Sequence, residues 1–170
     1  VAREAGVSPM TVSRAFKSDA YVNDETRKAI LLAAEKLGYV MDSMASGLSS
    51  RKTGFVAVTI PSINNANFAD TIRGLTDGLQ AKGLQVLLGY TSYNVEEEER
   101  LVRQLLTRRP EAIVVTGGKH TKKCRAMLEN SGIPVIETWD IPADPIDSVI
   151  GFSNAEASAM IVQHLVSSGR

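Results

Sequence analysis

The chain has 170 residues, of which 44% are hydrophobic, a formal net charge of zero and one cysteine, Cys124. That length and apolar content suffice for one or two globular domains with buried cores. A single thiol excludes an intramolecular disulfide and makes no metal cluster by itself, and no run approaches the roughly 20 apolar residues of a membrane span. No charged-then-apolar leader opens the chain, so a soluble, cytoplasmic protein with no membrane partner is expected. The neutral total hides a gradient: from Val1 to Lys52 eight bases face six acids, so the head is slightly basic and the remainder slightly acidic.

The stretch Val1 to Phe16 reads as two short helices joined by a tight turn, a helix-turn-helix. Ala2 and Ala5 permit close helix approach, while Val7, Val12 and Phe16 can point inward. Gly6 stands where the turn needs a permissive backbone, and Ser8 as N-cap followed by Pro9 at the first helical position fixes the second start. The opposite face carries Met10, Thr11, Ser13, Arg14 and Lys17. An ordinary helical hairpin would look alike over this stretch alone. A third helix follows, capped by Asn23, with Ile30, Leu31, Ala34 and Leu37 at helical spacing before Gly38, and three helices make a small DNA-reading domain over residues 1–40.

Residues 41–53 are small and polar, with Met41, Met44 and Leu48 as the large apolar exceptions, and read as a linker. From Gly54 the period changes. Phe55–Ile60, Gln85–Gly89, Ala112–Thr116, Val135–Thr138 and Ser148–Gly151 are short runs, mostly apolar and rich in β-branched residues. Between them lie amphipathic helices, marked by Phe68, Ile72, Leu75 and Leu79, then by Leu101, Val102, Leu105 and Leu106, then Lys122 to Asn130, and last Ala155 to Ser168 with Ile161, Val162 and Leu165. Alternating buried strands and helices mean an α/β doubly wound parallel sheet over residues 54–170. The four glutamates from Glu96 to Glu99 suit the dipole of a helix start and read as structural.

Ligands of an open parallel sheet bind outside the carboxyl ends of its strands. The loops there hold Ser62, Asn67 and Phe68, then Tyr90, then Thr116 and His120, then Trp139 and Asp140, and then Ser153 and Asn154. Hydroxyls, amides and an aromatic wall suit a polyhydroxylated small molecule. The Gly117-Gly118-Lys119-His120-Thr121 run lacks the spacing of a phosphate loop, and no Gly-x-Gly-x-x-Gly follows the first strand, so no nucleotide cofactor is expected. His120 and His164 are too few for a metal site, and no nucleophile has a recognisable base, so no catalysis and no metal are expected.

The blocks Ala2 to Arg14, Val22-x-x-x-Thr26-Arg27 and Ala33-Ala34-x-x-Leu37-Gly38-Tyr39 resemble the lactose/galactose repressor family of bacterial transcription regulators, in its order and spacing. The resemblance implies operator-DNA binding as a homodimer or higher oligomer, through Ser8, Pro9, Met10, Thr11, Ser13, Arg14, Lys17 and Thr26. It also implies a hinge helix that presents Ala45 and Leu48 to DNA, with Leu48 as a minor-groove wedge. The chain has Met41-Asp42 where the family usually has Pro-Asn. The sheet domain is then a periplasmic-binding-protein-like first lobe, read as incomplete because Arg170 comes where a further strand is expected. Its loops would bind a sugar-like effector. The Thr116 to Thr121, Val135 to Asp140 and Val149 to Asn154 blocks look most like the gluconate-type repressors, and Ser153, where the family often has aspartate, suits an anionic sugar acid. The alternative is a sugar-binding, receptor-like protein without DNA function; the head discriminates between the two.

Overall fold

The computed structural model describes residues 1–16, 20–41 and 53–169. The chain divides into two compact units, Val1–Arg51 and Lys52–Arg170. Lys17, and Ala45 and Leu48 of the expected hinge, lie outside the described residues.

In the head, helix α1 (Pro9–Ala15) and helix α2 (Asp24–Lys36) form as their caps dictate: Ser8 Oγ accepts the Thr11 N–H and Asn23 Oδ1 the Glu25 N–H. The segment ahead of α1 is a single helical turn where a full first helix was expected. The Ala5 N–H donates to the Val1 carbonyl and the Gly6 N–H to the Arg3 carbonyl, and Gly6 takes a φ of 65° so that the Val7 N–H can close back on the Ala2 carbonyl. Val12, Ala15 and Ile30 form the core, with Val1, Ala2, Ala5, Val7, Phe16 and Val22 packed around them. The inward set read from periodicity holds for Ile30 and Ala34, whereas Leu31 and Leu37 are exposed and Ala33 is buried instead.

The second unit alternates strand and helix: β1 (Phe55–Ile60), α3 (Ala66–Gln80), β2 (Gln85–Tyr90), α4 (Val95–Thr107), β3 (Ala112–Thr116), α5 (Lys122–Glu129), β4 (Val135–Thr138), β5 (Ser148–Ile150) and α6 (Asn154–Ser167). The sheet is parallel throughout, in the order β2-β1-β3-β4-β5. The two faces of β1 serve two cores. Val56, Val58 and Ile60 pack with Phe68 and the apolar side of α3, while Ala57 packs with Val102 and Leu105 of α4 and with Cys124 and Leu128 of α5. Helix α6 departs from expectation, since it buries no residue and leaves Ile161, Val162 and Leu165 exposed. Its apolar stripe is real, but no surface of this sheet receives it. No described helix is long and apolar enough to cross a membrane.

Candidate functional site

The head presents one polar and apolar face. Pro9, Met10, Ser13 and Arg14 are exposed on α1, Met10 by 65%, and Thr11 is half-buried because its hydroxyl meets Ser8 Oγ at 2.9 Å. Burial of Val12 and Ala15 on the other side fixes which way this face points. Thr26 is half-buried in the first turn of α2. Its neighbour Arg27 has a role that the sequence did not reveal. The guanidinium donates to the Ala15 carbonyl at the end of α1 and, at 2.9 Å, to the Ala20 carbonyl, so it ties α2 to the α1 terminus. Arg27→Ala is expected to cost about 1.5–3 kcal/mol of local stability, the usual range for charge-assisted bonds. Amide hydrogen exchange in α2 reads that loss directly, and unchanged protection would count against it.

In the second unit, parallel register places the ends of all five strands at one sheet edge. The order reverses beside β1, so the loops after β1 and β3 flank the crevice of the topological switch. A row of aromatic rings runs along this edge. Tyr93 meets Phe68 with centroids 6.5 Å apart, Phe68 meets Trp139 at 5.2 Å, and Trp139 meets Phe152 at 6.1 Å, each pair edge-on. Tyr93 and Phe152 thereby extend the expected Phe68 and Trp139. Their loops are held in uncommon conformations: Ser92, Tyr93 and Trp139 have φ of 53°, 60° and 71°. Positive φ at bulky residues costs energy and concentrates at functional sites.

The polar residues expected at this edge divide into groups. Asp140 and Asn154 are brought together, with Asn154 Nδ2 donating to the Trp139 carbonyl at 3.0 Å and to Asp140 Oδ1 at 3.3 Å. The loops touch closely enough that a Cβ at Gly151 would strike the Asp140 carbonyl. Asn67 and Tyr90 are exposed. Ser62 and Ser153 serve as local caps, accepting the Asn64 and Glu156 N–H groups, and Thr116 donates its hydroxyl to the Thr59 carbonyl across the sheet.

His120 corrects the expectation of a ligand contact. Its side chain is 1% exposed, with Nδ1 2.7 Å from Glu98 Oε2 of α4 and Nε2 3.5 Å from Glu137 Oε1 of β4. As placed, its imidazole offers a ligand no atom, although the residue as a whole is half-buried. Burial drives the imidazole toward its neutral form, but the carboxylates of Glu98 and Glu137 outweigh this and raise its pKa above the ordinary 6.5. Cys124 Sγ lies 3.8 Å from Glu98 Oε2, and burial, followed by the nearby Glu98 and Glu99, pushes its thiol up to about 12. Glu98, His120 and Cys124 bring ligand-type atoms within 4.8 Å of one another. Glu98 Oε2 is the hub of the set, facing both His120 Nδ1 and Cys124 Sγ.

Residues 1–42 match the bacterial regulatory proteins of the lacI family, and residues 50–170 match the periplasmic binding proteins and sugar binding domain of the LacI family. The chain belongs to the LacI family. It is similar to the HTH-type transcriptional regulator GntR of Pseudomonas aeruginosa, at 38% identity over all of this chain and 50% of that protein. With GntR of Escherichia coli K12 it shares 31% identity over 99% of this chain and 51% of the relative. A crystal structure of a LacI-family transcriptional regulator from Silicibacter pomeroyi superposes with a TM-score of 0.91 at 37% identity, covering 99% of this chain and 50% of that one. The chain thus spans about half the length of these relatives, which are transcriptional regulators.

Proposed function

We propose that this chain is the DNA-reading head and first effector lobe of an operator-binding transcriptional repressor, working as a homodimer or higher oligomer in the cytoplasm and controlled by a small sugar acid such as gluconate. The observation that carries this reading is the presence, in one LacI-family chain, of an exposed Pro9-Met10-Ser13-Arg14 face and an aromatic-lined sheet edge. The head has no use in a sugar receptor without DNA function, which is what disfavours that alternative. Phosphate contacts would fall to Ser8, Thr11, Ser13, Lys17 and Thr26, base contacts to Pro9, Met10 and Arg14, and the hinge contacts to Ala45 and Leu48.

The effector reading rests on chemistry at the sheet edge. Phe68, expected to touch the ligand, is buried in the core and backs Trp139; the half-buried Trp139 offers an aromatic face to a sugar backbone, and Asn67, Tyr90, Asp140 and Asn154 offer directional polar atoms. Asp140 is already engaged by the Ile141 N–H at 3.0 Å and by Asn154, which moderates its repulsion of an anion. Lys119 is exposed in the same loop region. Two relatives carry the name GntR. Calorimetric titration of the full-length protein with D-gluconate and with neutral D-glucose tests the assignment. Saturable binding of gluconate, much weaker for glucose, is expected; equal binding of both, or of neither, would remove the sugar acid from the proposal.

A further inference from the structure

The Glu98–His120–Glu137 cluster joins α4, β4 and the connection after β3, and the function proposed above makes no use of it. His120 belongs to the connection between β3 and α5, two residues beyond Gly118, where an added Cβ would meet Pro142 of the β4–β5 connection at 2.5 Å. Glu137 stands two residues before Trp139 in chain order, and its Oε2 accepts the Ile146 N–H at 2.7 Å. Glu98 anchors the group to α4. One imidazole thus joins a helix and the two connections that shape the sheet edge. His120 Nε2 and Glu137 Oε1 face each other at 3.5 Å, and neither has a hydrogen-bond partner among the described residues.

We propose that His120 is a positioning residue: as an imidazolium between Glu98 and Glu137, it holds the β3–α5 connection to the end of β4 and so sets the placement of Trp139 in the effector cleft. A neutral imidazole carries one N–H, whereas the cation donates from both nitrogens. Nδ1 is close enough to Glu98 to keep its proton, so deprotonation leaves a bare Nε2 facing a carboxylate oxygen in a buried site. Two buried acceptors in opposition are costly, and the strain falls on β4. The groups that face the ring are Glu98 from α4, Glu137 from β4 and the Cys124 thiol from α5. Glu99 stands beside them, bound to the Thr121 hydroxyl at 2.7 Å and to Arg103 at 3.2 Å, with Lys123 nearby. None of these puts a second cation against the ring.

The sign follows from the raised pKa. The cation is complete below about pH 6.5 and is lost as pH rises through the higher folded-state value, so the cleft keeps its geometry on the acid side and relaxes on the alkaline side. Any effect on effector affinity rests on the cleft being the effector site, but the placement of Trp139 can be read without an effector. The test is a pH titration of tryptophan emission on the intact protein, with Trp139→Phe subtracted to isolate the Trp139 signal, alongside NMR titration of the His120 ring. We expect an emission step whose midpoint coincides with that of His120 and lies above 6.5. Glu137→Gln removes one carboxylate charge and should move both midpoints to lower pH, a shift that a purely packing role would not produce. His120→Gln should abolish the step. An emission flat across the wild-type His120 titration, or midpoints unmoved in Glu137→Gln, would overturn the proposal. Both results are available even if His120→Gln does not fold, and neither depends on gluconate binding.

Discussion

Glu137→Ala is expected to destabilise the sheet unit by about 1–3 kcal/mol, because it leaves the Ile146 N–H without its acceptor and removes one of the two carboxylates that flank His120. Glu137 is fully buried, accepts the Ile146 N–H through Oε2 and faces His120 Nε2 at 3.5 Å through Oε1, so alanine removes one hydrogen-bond acceptor and one nearby charge at once. Urea unfolding at pH 6 measures the loss. Glu137→Gln should cost less, since its amide oxygen can still accept from Ile146. The penalty of Glu137→Ala should shrink as pH rises through the folded-state pKa of His120, because the neutral ring no longer needs a counter-charge. A midpoint within experimental error of the wild type would show that the cluster contributes no net stability.

The second large effect is on DNA. Arg14 is exposed on the face of α1 opposite the buried Val12 and Ala15, where a guanidinium can pair with the O6 and N7 acceptors of guanine in the major groove. Arg14→Ala is expected to weaken cognate-site binding by about 1–3 kcal/mol, roughly 5- to 150-fold, and to relax discrimination at one base pair. A phosphate contact behaves differently, lowering affinity evenly across sequences and reducing the salt slope by about one. Binding of the mutant to single-base operator variants separates the two cases. Retention of wild-type discrimination would remove Arg14 from the base-reading set.

Much of the fold was legible because local signals and global architecture agree. The β-branched runs from Phe55, Gln85, Ala112, Val135 and Ser148 are all strands within a residue of their expected ends, and Ser8 and Asn23 cap the helices they were expected to start. What was not legible concerns direction. His120 sits in a polar loop at the right sheet edge, yet loop membership does not say whether a side chain faces the cleft or turns under the helices. The run from Glu96 to Glu99 reads as a dipole-compensating charge cluster, and Glu96 and Glu97 behave so. Glu98 does not. It precedes Val102 by one helical turn and Leu105 by two, so it lies on the buried stripe of α4, and the same period that identified the stripe would have placed it inside. Glu137 likewise alternates with Val135 onto an inward face of β4. Helix α6 shows the converse limit: its apolar residues announce a buried face but do not name the surface that buries it.

The central claim is that one LacI-family chain couples an operator-reading head to a sugar-acid cleft. The most direct measurement is fluorescence anisotropy of the full-length protein on labelled fragments of its own promoter regions, with and without D-gluconate. The account predicts saturable, salt-sensitive binding to a pseudo-palindromic site, with an affinity that shifts several-fold in gluconate and stays constant in glucose. Binding that is independent of sequence, or sequence-specific binding indifferent to gluconate and other sugar acids, would contradict it.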